Sequence, residues 1–160
     1  MITDNDMQHL RRSVELAAEA LEAGDEPFGS VLVDGDGHVL CEDRNRANSV
    51  DATYHPEIAV AQWAAKNMTT DARAQAVVYT SGEHCAMCSA AHAWVGLGRI
   101  VYVSSSKQLG EWMKEMGVTS SSPINTLAIQ EVAPNVPVEG PIVGLDEEVK
   151  ALQRRAFQRG

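Results

Sequence analysis

Two short stretches carry the residue types from which a metal-assisted hydrolytic site can be built. His55-Pro56-Glu57 offers an imidazole with a carboxylate two residues on, and Glu83-His84-Cys85-Ala86-Met87-Cys88 offers two thiols at C-x-x-C spacing. One imidazole and two thiolates are donors that suit Zn²⁺ and leave its fourth tetrahedral position open, as in catalytic rather than structural zinc sites. Zinc held this way brings the pKa of its water to about 7. A carboxylate beside that water can take its proton and pass it to a leaving amine. The chemistry to expect is hydrolysis that expels ammonia, with His55, Cys85 and Cys88 as metal ligands and Glu57 as the catalytic proton carrier.

Two rival readings use the same cysteines. A redox dithiol accounts for Cys85 and Cys88 but leaves His55 and Glu57 idle. A closed structural zinc needs a fourth ligand, for which His92, four residues after Cys88, and His84 are candidates; Glu57 would again have no task. His92 is expected in the core and His84 at the rim of the pocket.

The elements that must position these residues can be read around them. Pro56 suits the first turn of a helix, because its missing N–H has no helical partner there. A helix is therefore expected over residues 55–67, with the site at its N-terminus, where the dipole favours anions. Residues 76–80 read as a buried strand, and the chain then turns into a helix that starts at Cys85. The thirty residues from His55 to Cys85 accommodate a helix and a returning strand, so two helix N-termini can meet around one ion.

Upstream, Met7, Leu10, Val14, Ala17 and Leu21 recur at helical spacing over residues 6–23. Residues 29–43 read as a β-hairpin closed at Asp34-Gly35-Asp36-Gly37. Cys41 is expected to face the core. Downstream, residues 100–103 form a strand buried on both faces, 107–116 a helix and 119–123 a linker. Pro123 marks a further helix start, Val138 an edge strand, and residues 146–155 a last helix that is acidic first and basic last.

His55-x-Glu57 followed by Cys85-x-x-Cys88 resembles the H-x-E … P-C-x-x-C signature of the cytidine-deaminase-like zinc deaminases, which include cytidine, cytosine, guanine and tRNA-adenosine deaminases. The resemblance runs over residues 10–104. It implies a three-layer α/β/α sandwich with a mixed sheet of about five strands, in one domain spanning residues 1–160. It also implies a bound Zn²⁺, a small-molecule substrate of guanine or cytosine type, a homodimer, and a region beyond residue 105 that closes the pocket. The chain departs from the pattern at His84, where the family usually has proline, and at Pro56, where it most often has alanine.

On that resemblance Phe28 of Pro27-Phe28-Gly29 lines the base pocket, although a buried ring at a strand entry is an equal reading. Asn45, ten residues before His55, is a substrate contact, since its amide offers two donors and an acceptor; the alternative is a turn residue. Trp94 packs against the base or faces the core. His84, standing where relatives have proline, is a further substrate contact. Glu111, Glu115 and Glu139 are candidates for reading an amidine edge.

The remaining bounds come from composition. One domain of 160 residues with 44% hydrophobic residues is an ordinary globule. No apolar run approaches the ~18 residues of a membrane span, and the N-terminus lacks a signal-peptide pattern. Three cysteines, two of them in the C-x-x-C, argue against a secreted disulfide framework and for the cytoplasm. With 22 acidic against 13 basic residues the net charge is −9, which counts against nucleic acid as a partner. A tRNA adenosine deaminase and a non-catalytic zinc module stand as the alternatives.

Overall fold

The computed structural model describes residues 1–119 and 122–159. Helix α1 (Asp4–Glu22) starts at a reciprocal cap: the Thr3 hydroxyl accepts from the Asp6 amide, and the Asp6 carboxylate accepts from the Thr3 amide. Its stripe of Leu10, Val14, Ala17 and Leu21 is buried against the sheet. Strands β1 (Gly29–Val33) and β2 (Val39–Arg44) form the expected antiparallel hairpin. Then follow α2 (Pro56–Asn67), α3 (Thr70–Gln75), β3 (Val77–Gly82) and α4 (Ala86–Trp94). The chain ends with β4 (Ile100–Ser104), α5 (Ser106–Glu115), α6 (Ile129–Val132), β5 (Val138–Glu139) and α7 (Leu145–Gln158).

The sheet has the order β2-β1-β3-β4-β5. It is mixed: β1 pairs antiparallel with β2 and β3, while β3, β4 and β5 run parallel. Alternate residues of each strand feed opposite faces. Val31, Val33, Tyr79, Val101 and Val103 pack with α1, α5 and α7, whereas Leu32 and Val78 pack with α2 and the end of α4. Ile100 joins Ile129, Ala133 and Val136 in a third cluster around α6. Helices thus cover both faces, which gives the expected three-layer α/β/α domain. Burial on both faces suits the apolar run of β4, Ile100 to Val103.

Gly29 is fixed by closeness. A Cβ there would collide with Leu16 and the Ser13 carbonyl of α1, so only glycine lets the helix lie this near β1. Asp6 of α1 accepts from the Tyr79 hydroxyl at 2.6 Å and from Arg99 at 3.2 Å, and Arg99 also pairs with Glu139 at 2.9 Å. That group ties α1 to β3, β4 and β5, and it occupies Glu139.

One element is added and two local expectations are corrected. α3 was not foreseen: it buries no residue and so leaves no apolar periodicity, and Thr69 caps it by accepting from the Ala72 amide. β3 continues through Ser81 and Gly82, because Gly82 still pairs with Ser104. The helix expected from Pro123 begins only at Ile129, since residues 124–127 line a cavity instead of forming a turn of helix. Ser120 and Ser121 of the expected linker lie outside the described residues.

Candidate active site

The chain brings two helix starts together at the carboxyl end of β3. His55 is the N-cap residue of α2 and Cys85 that of α4, and neither side chain is used for capping. Both are free to face a third group. His55 Nδ1 lies 3.6 Å from Cys85 Sγ and 3.6 Å from Cys88 Sγ. All three donor atoms fall within 4.8 Å of one another, and among the described residues no fourth His, Cys, Asp or Glu joins them.

This donor set can be tested against a metal. Zn–N of about 2.0–2.1 Å and Zn–S of about 2.3 Å at a tetrahedral angle place N and S about 3.6 Å apart. The observed separations match, and one imidazole with two thiols is a zinc-type set. The protons are arranged accordingly. A bond from Cys88, followed by one from His55, holds the Cys85 thiol down to about 4. The bond to Cys85, then the nearby Glu57 carboxylate, raises His55 to about 9. The same sulfur contact and burial push Cys88 well up. A cation bound here would replace the protons on Cys88 and His55.

Glu57 lies in the first turn of α2 and is 5% exposed. Burial raises its carboxyl to about 7, against the pull of the nearby His55. Its Oε1 is 3.1 Å from Thr80 Oγ1, a hydroxyl that accepts from Ser30 at 2.9 Å. A buried carboxyl poised near neutrality beside a metal-type cluster is equipped to carry a proton.

His55, Glu57 and Cys85 face a cavity of about 1010 Å³ that is lined on its other side by α5, residues 117–119, Ser122 and residues 124–127. Asn45 and Phe28 line the same cavity, as expected. Asn45 is 2% exposed; its backbone N–H donates to the Phe28 carbonyl at 2.9 Å, and its side-chain Oδ1 accepts from the Ala47 backbone N–H at 2.8 Å. With the oxygen engaged, Nδ2 is left to donate into the cavity. The Phe28 ring lies against Gly82, where a Cβ would approach it to 3.0 Å. Of the three acidic candidates, Glu111 lines the cavity; Glu115 pairs with Lys150, and Glu139 pairs with Arg99.

His84 and Trp94 are not brought to the cavity, contrary to expectation. The backbone enters α4 extended at Cys85, and alternate side chains of an extended segment point to opposite sides. Glu83 and Cys85 face the cavity, and His84 turns inward to full burial, edge-on to His92 with ring centroids 5.5 Å apart. Trp94 is 89% exposed. Six residues beyond Cys88 is about 240° around a helix, which carries its ring away from the thiols. His92 is a core residue: its Nε2 donates to the Gly98 carbonyl at 2.7 Å, so the closed-site reading loses that ligand.

Two residues at the site escaped the sequence reading. Thr80 looked like any strand threonine, yet it holds Glu57. Glu83 accepts from the Ser106 amide through Oε1 and from the Ile129 amide through Oε2, each at 3.0 Å. It thereby fastens the starts of α5 and α6 to the cysteine turn, and its position next to the C-x-x-C was the signal available.

With the geometry in hand, comparisons with known proteins give a consistent picture. Residues 4–144 match the family model described as MafB19-like deaminase. The chain is 29% identical to a probable cytosine deaminase of Schizosaccharomyces pombe over 160 residues, covering 99% of this chain and 96% of that protein. It is 34% identical to the guanine deaminase of Bacillus subtilis over 104 residues, 64% of this chain and 66% of that one. A tRNA-specific adenosine deaminase of Haemophilus influenzae is 31% identical over 106 residues, 66% and 61% of the two chains. In fold, the guanine deaminase of Nitrosomonas europaea superposes with a TM-score of 0.71 at 18% identity, over 99% of this chain and 86% of that one.

Proposed function

Because the chain belongs to the MafB19-like deaminase family, we propose that it hydrolyses an exocyclic amino group from a free nucleobase or related heterocycle of guanine or cytosine type. The products are ammonia and the corresponding oxo ring. The observation that carries this reading is the buried Glu57 carboxyl, raised to about 7, beside the His55/Cys85/Cys88 cluster on the wall of one cavity.

In this reading His55 Nδ1 and the sulfurs of Cys85 and Cys88 hold Zn²⁺. The metal, when bound, supplies Lewis acidity and lowers the pKa of water, which is the nucleophile. The chain's own residues do the rest. Thr80 donates to Glu57 Oε1, and the carboxylate takes one proton from water and gives it to a ring nitrogen, then takes the second from the hydroxyl formed at the attacked carbon and gives it to the departing amine. Asn45 Nδ2 donates to the ring edge, and the Phe28 ring bounds its face. The cavity wall formed by α5 limits access of bulk water, with Glu111 in place to accept from a donor-bearing edge.

Relatives that act on tRNA keep the competing substrate in view, and the net charge of −9 favours the small ring. A homodimer belongs to the same reading, with the exposed Trp94 ring as its candidate contact. So does the cytoplasm, where Cys41, Cys85 and Cys88 stay unpaired.

The deciding experiment measures ammonia release from aminated bases, nucleosides and a tRNA by zinc-loaded protein and by Glu57→Gln. Release from a base that disappears in the variant, with zinc still at one per chain, is the expected result. Release from tRNA alone would move the substrate to RNA, and undiminished release by the variant would remove Glu57 from the mechanism.

A further inference from the structure

Behind the wall that carries Asn45 and Phe28 lies a charged group that the proposed chemistry does not use. Asp25, in the link between α1 and β1, is fully buried. Its Oδ1 accepts from the backbone amides of Asn48 at 3.0 Å and Ser49 at 2.8 Å. Its Oδ2 accepts from Ser49 Oγ at 2.8 Å and from Arg44 Nη1 at 3.0 Å. The same Arg44 nitrogen donates to the Asn45 carbonyl at 3.0 Å, and Asn48 Nδ2 donates to the Gly24 carbonyl at 3.0 Å. Every partner of the Asp25 carboxylate but Arg44 lies in the turn that follows Asn45, and Arg44 directly precedes Asn45.

Taking a carboxylate fully out of water is costly unless its oxygens are saturated with donors, as they are here. What this anchor controls can be traced bond by bond. The turn held at Asn48 and Ser49 presents the Ala47 amide, and that amide takes Asn45 Oδ1. An asparagine amide is nearly symmetric in shape, so only its bonding decides which end faces the cavity. We infer that Asp25 is a positioning residue for substrate binding: by anchoring the turn after Asn45 it fixes that side chain with Nδ2, not Oδ1, directed into the cavity. The inference rests on the reading of Asn45 as a substrate contact.

The test is a double-mutant cycle of Asp25→Asn with Asn45→Ala in the zinc-loaded protein, together with NMR of backbone and side-chain amides. Asp25→Asn should raise KM about tenfold and leave kcat within about twofold, because a contact made equally in ground and transition states is lost. In the Asn45→Ala background the same change should move KM less than about twofold. Amide exchange of Ala47, Asn48 and Ser49 should quicken by about tenfold and the Asn45 side-chain resonances should shift, while zinc stays at one per chain. Arg44→Gln, which cuts the link from the half-buried side, should repeat the KM effect in weaker form if Asp25→Asn does not fold. Fully additive KM effects, or unchanged Ala47 exchange and Asn45 resonances, would overturn the inference. If wild-type protein deaminates nothing in the panel, the deaminase reading fails, and the amide measurements alone decide the role of Asp25.

Discussion

Glu57 must be buried to be useful and must ionise to work, and its surroundings hold these demands in balance. Desolvation raises its carboxyl to about 7, while the Thr80 hydroxyl lies 3.1 Å from one of its oxygens. Glu57→Gln keeps the shape and the Thr80 contact but cannot carry a proton. Turnover should fall by about 10²–10⁴ with zinc content unchanged, as steady-state assays and metal analysis would report. His84 presents the opposite case, a buried polar ring with no partner for either nitrogen among the described residues. Burial lowers its pKa well below 6.5 and lowers that of His92 as well. The unfolded chain therefore binds protons that the native chain refuses. Stability is fully present above about pH 6.5 and is lost as the pH falls from there toward the lowered native values. Melting curves of zinc-loaded protein from pH 8 to 5 should show this decline. His84→Leu should make it shallower and should raise stability by about 1 kcal/mol at neutral pH, since an unsatisfied buried group is removed.

At the scale of elements, the pocket depends on how two short helices are attached. α6 has Ala128 at its N-cap, a residue with no acceptor in its side chain, and Glu83 supplies one from the cysteine turn through its bond to the Ile129 amide. Because the other oxygen holds the start of α5, Glu83→Ala should cost about 1–3 kcal/mol and speed amide exchange at Ser106 and Ile129. Equal exchange in both proteins would show that other contacts hold these helices. The same elements explain what could be read in advance. The hairpin announced itself in Asp34-Gly35-Asp36-Gly37, α1 in its apolar stripe, and the cluster in two stretches that begin helices. α3 was silent because it buries nothing, and α6 because its cap lies 46 residues away in Glu83. Trp94 was legible in principle, since its spacing from Cys88 already turns it to the other side of α4. His84 was legible in the same way, since it alternates with Glu83 and Cys85.

For the whole molecule the distribution of charge separates the two substrate classes. Thirteen basic residues face twenty-two acidic ones, and six of the thirteen (Arg12, Arg44, Arg46, Arg99, Lys150 and Arg155) already have carboxylate partners. The other seven are outweighed by the acidic excess that makes the net charge −9, whereas displacing counterions from a phosphate backbone, which makes nucleic-acid binding strong at low salt and weak at high salt, needs a basic surface. A neutral heterocycle entering the cavity meets no such dependence, because its contacts are short-range and lie inside the wall formed by α5. Raising the salt from 50 to 500 mM should therefore change kcat/KM for the preferred base by less than about twofold. An RNA substrate held by even three phosphate contacts would lose several hundred-fold over the same range. A steep decline with salt, together with inosine formed in the RNA, would mean that a basic surface arises on assembly, and the substrate class would have to be reassigned.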